Sequence, residues 1–180
     1  SNRRVVVRQD GKVIFNLTAS FQKPAEGLSH QIPLPDVLPP EQCMGAMEQI
    51  ARNPQVSDDD IERLSVPKPF DVRSFCPEGK SADARQYQWF KTVAPLPDDP
   101  LIHRATLAFA SDMGLLSTSM IPHGIHWTTP GLFSTSLDHA MWFHDDFRAD
   151  EWICYVMDSD WTGHTRGLNR GSLYTQDGLL

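Results

Sequence analysis

The sequence predicts an α+β fold, a curved antiparallel sheet wrapped around one helix. Three observations carry that prediction. Residues 101–116 form the longest helical stretch, and their apolar side chains fall on more than one helix face; a helix apolar nearly all round must be covered by other structure. The stretches before and after it are rich in β-branched and aromatic residues, the composition of strands. Short turns separate the later strands, which suits antiparallel pairing rather than helical crossovers.

Each element follows in order. Residues 4–22 read as a hairpin: Val5-Val6-Val7 is a short strand, Gln9-Asp10-Gly11 supplies the turn, and Val13, Phe15, Leu17, Ala19 and Phe21 repeat with a period of two. Residues 23–40 carry five prolines and read as linker. Pro40 opens a short helix through about Arg52, ended by Asn53-Pro54. Asp58-Asp59-Asp60 caps a further helical turn as a solvated N-terminus, closed by Pro67 and Pro69. Residues 70–77 and 86–94 are strands. Asp98 or Asp99 is the N-cap and Pro100 the first residue of the long helix. Pro122 and Gly124 end that segment. Residues 132–143, 151–157 and 166–175 are three more strands, the last running into Gln176-Asp177-Gly178.

That tripeptide repeats Gln9-Asp10-Gly11, and each follows a strand containing arginine, Arg4 and Arg8 in one and Arg166 and Arg170 in the other. The repeat points to an internal duplication. A sheet around one helix is the hot-dog arrangement. The expected organisation is therefore residues 1–22 as the C-terminal hairpin of a first hot-dog repeat, 23–69 as a Pro-rich and helical linker, and 70–180 as a second repeat without its last strand.

The 180 residues suit one domain, or one domain and a piece of another. A hydrophobic fraction of 40% permits a substantial core, and a net charge of −7 argues against nucleic acid as the main ligand. Cys43, Cys76 and Cys154 are far apart and odd in number, so a reducing, cytoplasmic compartment is expected. No run approaches the ~18 apolar residues of a membrane span, and none reads as a signal peptide.

Asp112 lies in LAFASDMGLLS, a run of apolar and small residues, where an unpartnered charge would be costly. Two readings stay open. It hydrogen-bonds locally, as short polar residues near helix ends do, or it faces a pocket between helix and sheet as an active carboxylate. In STSLDH, a regular strand puts Ser134, Ser136 and Asp138 on one face and Thr135, Leu137 and His139 on the other. That opposes a Ser-His-Asp triad, and no G-x-S-x-G stretch is present. His139, His144, Asp145 and Asp146, or His123 and His126, do not match a zinc spacing. Trp142, Trp152, Trp161, Phe143 and Tyr155 read as core or interface residues.

SLDHAMWFH at 136–144, FASDMGLL at 109–116, PHG at 122–124, RGLNRG at 166–171 and TASFQ at 18–22 resemble the acyl-CoA thioesterase II (TesB-like) family over essentially the whole chain. The resemblance implies a double hot-dog that hydrolyses fatty acyl-CoA to free fatty acid and CoA, with no metal, cofactor or covalent intermediate. It assigns catalytic roles to Asp112 and to Ser136, the hydroxyl just before the LDH motif. The family's third partner is a Gln in a V-x-Q-E-G-like stretch, which Gln176 does not match. The chain is therefore expected to be truncated at both ends relative to the family. Arg166 and Arg170 are candidates for CoA phosphates, or plain strand-surface charges. The implied partners are acyl-CoA and either a second copy, as a homo-oligomer, or the missing first hot-dog. The alternatives are a non-catalytic acyl-CoA-binding hot-dog module and an enoyl-CoA hydratase-type hot-dog using His103 or His139 with an acid.

Overall fold

The computed structural model describes residues 1–52, 56–57, 59, 61–62, 65–74, 83–127 and 129–180. The chain forms two compact units, Ser1–Gln31 and Ile32–Leu180.

The first unit is a hairpin of β1 (Asn2–Gln9) and β2 (Lys12–Ser20), paired so that Val5 faces Leu17 and Val7 faces Phe15. Asp10 and Gly11 form its turn at φ 49° and 77°. Two consecutive left-handed residues match the right-handed twist of the strands. The Ser1 ammonium donates to the Phe21 carbonyl at 2.9 Å, and Arg4 to Asn16 at 3.3 Å.

The second unit holds an antiparallel sheet of five strands in the order β3-β4-β5-β6-β7. These are β3 (Met44–Gly45), β4 (Phe70–Ser74), β5 (Arg85–Thr92), β6 (Ile153–Gly163) and β7 (Arg166–Thr175); α1 (Ala46–Arg52) follows β3, and α2 (Pro100–Ala110) follows β5. Alternation divides the central strands between two faces. Phe90, Ile153, Tyr155 and Met157 pack with Leu107 and Ala110 of α2. On the opposite face Trp89, Cys154, Val156 and Tyr174 pack with Cys43, Leu34, Val37 and Leu38. The irregular stretch around Leu38 is pinned there: Trp89 Nε1 donates to its carbonyl at 2.8 Å, and its N–H donates to Tyr87 Oη at 3.1 Å. Part of the segment expected to be linker thus covers the sheet and adds its edge strand.

Asp99 caps α2, accepting from the Leu101 N–H at 2.9 Å, with Pro100 at the first position. The expected helix over 101–116 ends early. Ser111 caps it at Ala110, and a 3-10 stretch occupies Leu116–His123. The helix buries fewer of its apolar side chains than its sequence suggests. Only His103, Leu107 and Ala110 are buried, while Leu101 and Phe109 are about two-thirds exposed at 66% and 67%. One helix face meets the sheet, and the exposed Phe109 ring stacks on Phe70 of β4.

Three further expectations change. Pro40 opens a 3-10 turn, Pro40–Gln42, and the helix begins only at Ala46, after the two-residue β3. Residues 132–143 form no strand. Alternating residues make a strand only where a neighbour supplies ladder hydrogen bonds, and no described strand runs beside them. β6 extends to Gly163, and its hairpin with β7 closes through His164 and Thr165, both left-handed at φ 48° and 62°. Asn53, Pro54, Asp58, Asp60 and residues 75–77, with Cys76, lie outside the described residues; Asp59 is helical. Tyr155 is core, whereas Trp142 and Trp161 are exposed. Among the described residues no helix is long and apolar enough to cross a membrane.

Candidate active site

Asp112 follows α2 in a tight turn, and it is exposed. The expected conflict between charge and burial therefore does not arise; Leu107, Ala110, Met113 and Leu115 pack into the core while Asp112 is exposed.

The turn is held from below by sheet side chains. Tyr155 Oη donates to the Ser111 carbonyl at 2.8 Å, Gln88 Nε2 to the Met113 carbonyl at 2.9 Å and Gln86 Nε2 to the Gly114 carbonyl at 3.0 Å. Gln88 and Tyr155 are cross-strand partners on β5 and β6. Carbonyls at a helix end have no partner within the helix, and here the sheet supplies donors. Burial pushes the Tyr155 phenol well above its ordinary range, with the Asp112 charge adding to it, so it stays a neutral donor. Gly171 makes this reach possible, because a Cβ there would run into the Tyr155 ring. Gly167 clears Ser119 in the same way. The two glycines of RGLNRG are thus close-approach positions.

Ser136 meets Asp112 from the irregular segment, its Oγ donating to Asp112 Oδ1 at 3.2 Å. His139 Nε2 lies 3.0 Å from Ser111 Oγ. The two candidate site residues, Asp112 and Ser136, are brought together although 24 residues apart. Because the segment is not a regular strand, Ser136 and His139 both reach the end of α2 rather than facing opposite ways. They contact different residues, and Ser136 bonds Asp112 rather than His139.

Other candidates lie elsewhere. His103 is buried in α2 and its Nδ1 accepts from the Ala149 N–H at 3.1 Å; nine positions before Asp112, it is roughly 13 Å away along the helix axis. Arg170 pairs with Asp160 at 2.7 Å, and the Arg166 guanidinium lies 5.9 Å from the Trp161 ring centre. Asp146 pairs with Arg104 at 2.6 Å. Gln86 and Gln88 were not singled out from the sequence. Their signal was QYQWF, where two amides share the strand face of the buried Phe90.

A five-stranded antiparallel sheet packed on one helix is the hot-dog arrangement, and the Asp112–Ser136 pair lies at the end of that helix. A solved protein from Alicyclobacillus acidocaldarius described as having a hot dog fold matches with a TM-score of 0.66 at 20% identity, over 99% of this chain and 62% of that one. Residues 58–180 match the family model described as acyl-CoA thioesterase, and the chain belongs to that family. The crystal structure of acyl-CoA thioesterase II TesB2 from Mycobacterium marinum superposes with a TM-score of 0.77 at 37% identity, covering 99% of this chain and 63% of that one. Human acyl-coenzyme A thioesterase 8 is 34% identical over 193 aligned residues, 100% of this chain and 60% of its own length. The chain thus spans less than two-thirds of these relatives.

Proposed function

We propose that this protein hydrolyses the thioester of fatty acyl-CoA to free fatty acid and CoA. The observation that carries the reading is the 3.2 Å hydrogen bond from Ser136 to Asp112, in a chain of the acyl-CoA thioesterase family. Ser136 gives its only proton to Asp112, so toward a water it can only accept. One proton of that water then points at Ser136 and the other at Asp112, which aims a water lone pair at the thioester carbonyl. Asp112 takes a proton as the water oxygen bonds to the carbonyl carbon. The C–S bond then breaks, and the CoA thiolate leaves and recovers that proton. A thiolate leaves readily, so no strong acid is required.

Residues 1–22 are proposed as the last hairpin of one hot-dog repeat, 23–69 as the connection and 70–180 as a second repeat. Support comes from the hairpin being a compact unit of its own. A homo-oligomer, or a further hot-dog unit beside this one, completes the proposed assembly. The proposed location is the cytoplasm. It is supported by Cys43 and Cys154, free thiols in one buried cluster, with burial pushing Cys154 up to about 12.

The test is thiol release from acyl-CoAs of several chain lengths. Asp112→Asn should lower kcat by roughly a hundredfold or more, the scale of losing a general base. Turnover by Asp112→Asn at the wild-type rate overturns the assignment. Calorimetric binding of a non-hydrolysable acyl-CoA analogue, with no turnover by wild type, replaces the enzyme with a binding module.

A further inference from the structure

We propose that His139, acting through Ser111, is a positioning residue that holds the Asp112–Ser136 pair in register. The inference rests on the thioesterase reading and goes beyond it. Ser136 lies on a stretch, 132–143, that joins no strand among the described residues, so no ladder sets its height or rotation. Two side-chain bonds reach from this stretch to the end of α2: Ser136 to Asp112 at 3.2 Å, and His139 to Ser111 at 3.0 Å. Their anchors are adjacent residues. A segment attached at one point can swing; attached at two points three residues apart, it cannot rotate without breaking one bond.

Ser111 is the fixed end of this latch. It is 2% exposed. Its N–H donates to the Leu107 carbonyl at 2.8 Å, and its carbonyl accepts from Tyr155 at 2.8 Å. Its hydroxyl donates to the Ala108 carbonyl at 2.9 Å. A serine hydroxyl has one proton, so Ser111 Oγ can only accept from His139. Nε2 of His139 therefore carries the hydrogen, and the imidazole serves as a directed donor. A glutamine at 139 could present an amide N–H from about the same place, whereas alanine cannot.

The experiment measures kcat, KM and thermal unfolding for wild type, His139→Ala, His139→Gln, Ser111→Ala, the double alanine variant and Asp112→Asn. His139→Ala should lower kcat roughly ten- to hundredfold with KM nearly unchanged, as misplacing a reacting group does, and His139→Gln should recover most of it. Ser111→Ala should match His139→Ala, and the double variant should be no worse than either, because both remove one bond. His139→Ala at the wild-type kcat overturns the latch, as does a glutamine variant no better than alanine, or losses that multiply in the double variant. Wild type without turnover overturns the thioesterase reading and the latch with it, whereas Asp112→Asn at full rate overturns the assignment of Asp112 and the latch. An active, Asp112-dependent enzyme indifferent to His139 overturns the latch alone.

Discussion

β1–β2 and β6–β7 are both long antiparallel hairpins. Each is closed by two left-handed residues, Asp10–Gly11 in one and His164–Thr165 in the other. Each carries one register shift, between Val7 and Arg8 or between Ser159 and Trp161. Each carries large apolar side chains, Val13, Ile14, Phe15 and Leu17 in β2 and the run Ile153–Met157 in β6. Yet Phe15 of β2 is 50% exposed, while Tyr155 of β6 is 2% exposed. The difference is what lies against each strand. β6 has α2 on one face and the stretch around Leu38 on the other, and an ion-pair cluster fixes its entry: Arg148 holds Asp150 at 3.0 Å and Asp98 at 2.8 Å. Within its own unit β2 has only β1. Alternation states which side chains could be buried together; it does not supply the surface that buries them.

The sharpest way to break this comparison is truncation at the sheet centre. Phe90 is fully buried, between Phe70 and Tyr155. Phe90→Ala should cost about 3–5 kcal/mol by the lost transfer energy and the cavity left; urea unfolding of the 180-residue chain measures it. A cost below about 1 kcal/mol would mean that the site relaxes freely, as a loosely packed core would.

The entry to β6 comes next. The Arg148 guanidinium and the Leu96 N–H, donating to Asp150 at 2.9 Å, hold the Asp150 carboxyl down at about 2, against 3.8 unperturbed. A depressed carboxyl adds stability that is present above its unfolded value and is lost as pH falls through its folded value. Asp150→Asn should therefore cost about 2 kcal/mol at pH 7, the scale of charged hydrogen bonds. That difference should shrink as pH drops from about 4 to 2. An unfolding free energy for the variant that parallels wild type across this window would show that Asp150 does not carry the link.

Smaller effects separate the turns. Thr165 sits at φ 62°, where a β-branched residue is strained. Thr165→Gly should be stabilising by up to about 1 kcal/mol despite the flexibility glycine adds to the unfolded chain. Gly11 at φ 77° has the reverse sensitivity, and Gly11→Ala should destabilise its hairpin. Phe15→Ala should move the unfolding midpoint least, within about 0.5 kcal/mol as for exposed positions. A loss comparable to that of Phe90→Ala would show that Phe15 is covered in solution.

Much of the fold was legible because its signals are local. The N-cap at Asp99, the proline at 100, the Asp10–Gly11 turn and the bounds of β7 each follow from the conformations a few neighbouring residues can adopt. The His164–Thr165 turn was missed because it holds no glycine and places a β-branched threonine at positive φ. The strand over 132–143 was expected from alternation, but strand formation depends on a hydrogen-bonding neighbour. Asp112 and Ser136 were legible from family motifs; Gln86, Gln88 and Tyr155 hold the turn through hydrogen bonds that reach from the sheet to the end of α2.

By itself, then, the sequence determined the helix start, most strands and the Asp10–Gly11 turn, and its family motifs pointed to Asp112 and Ser136. Only the tertiary structure decided that Asp112 is exposed, that α2 buries one face, and that Ser136 and His139 reach adjacent residues at its end. Caps and turns depend on torsions within a few residues. Exposure and contact depend on which distant surfaces meet, and a periodic pattern in one segment carries no information about its partner.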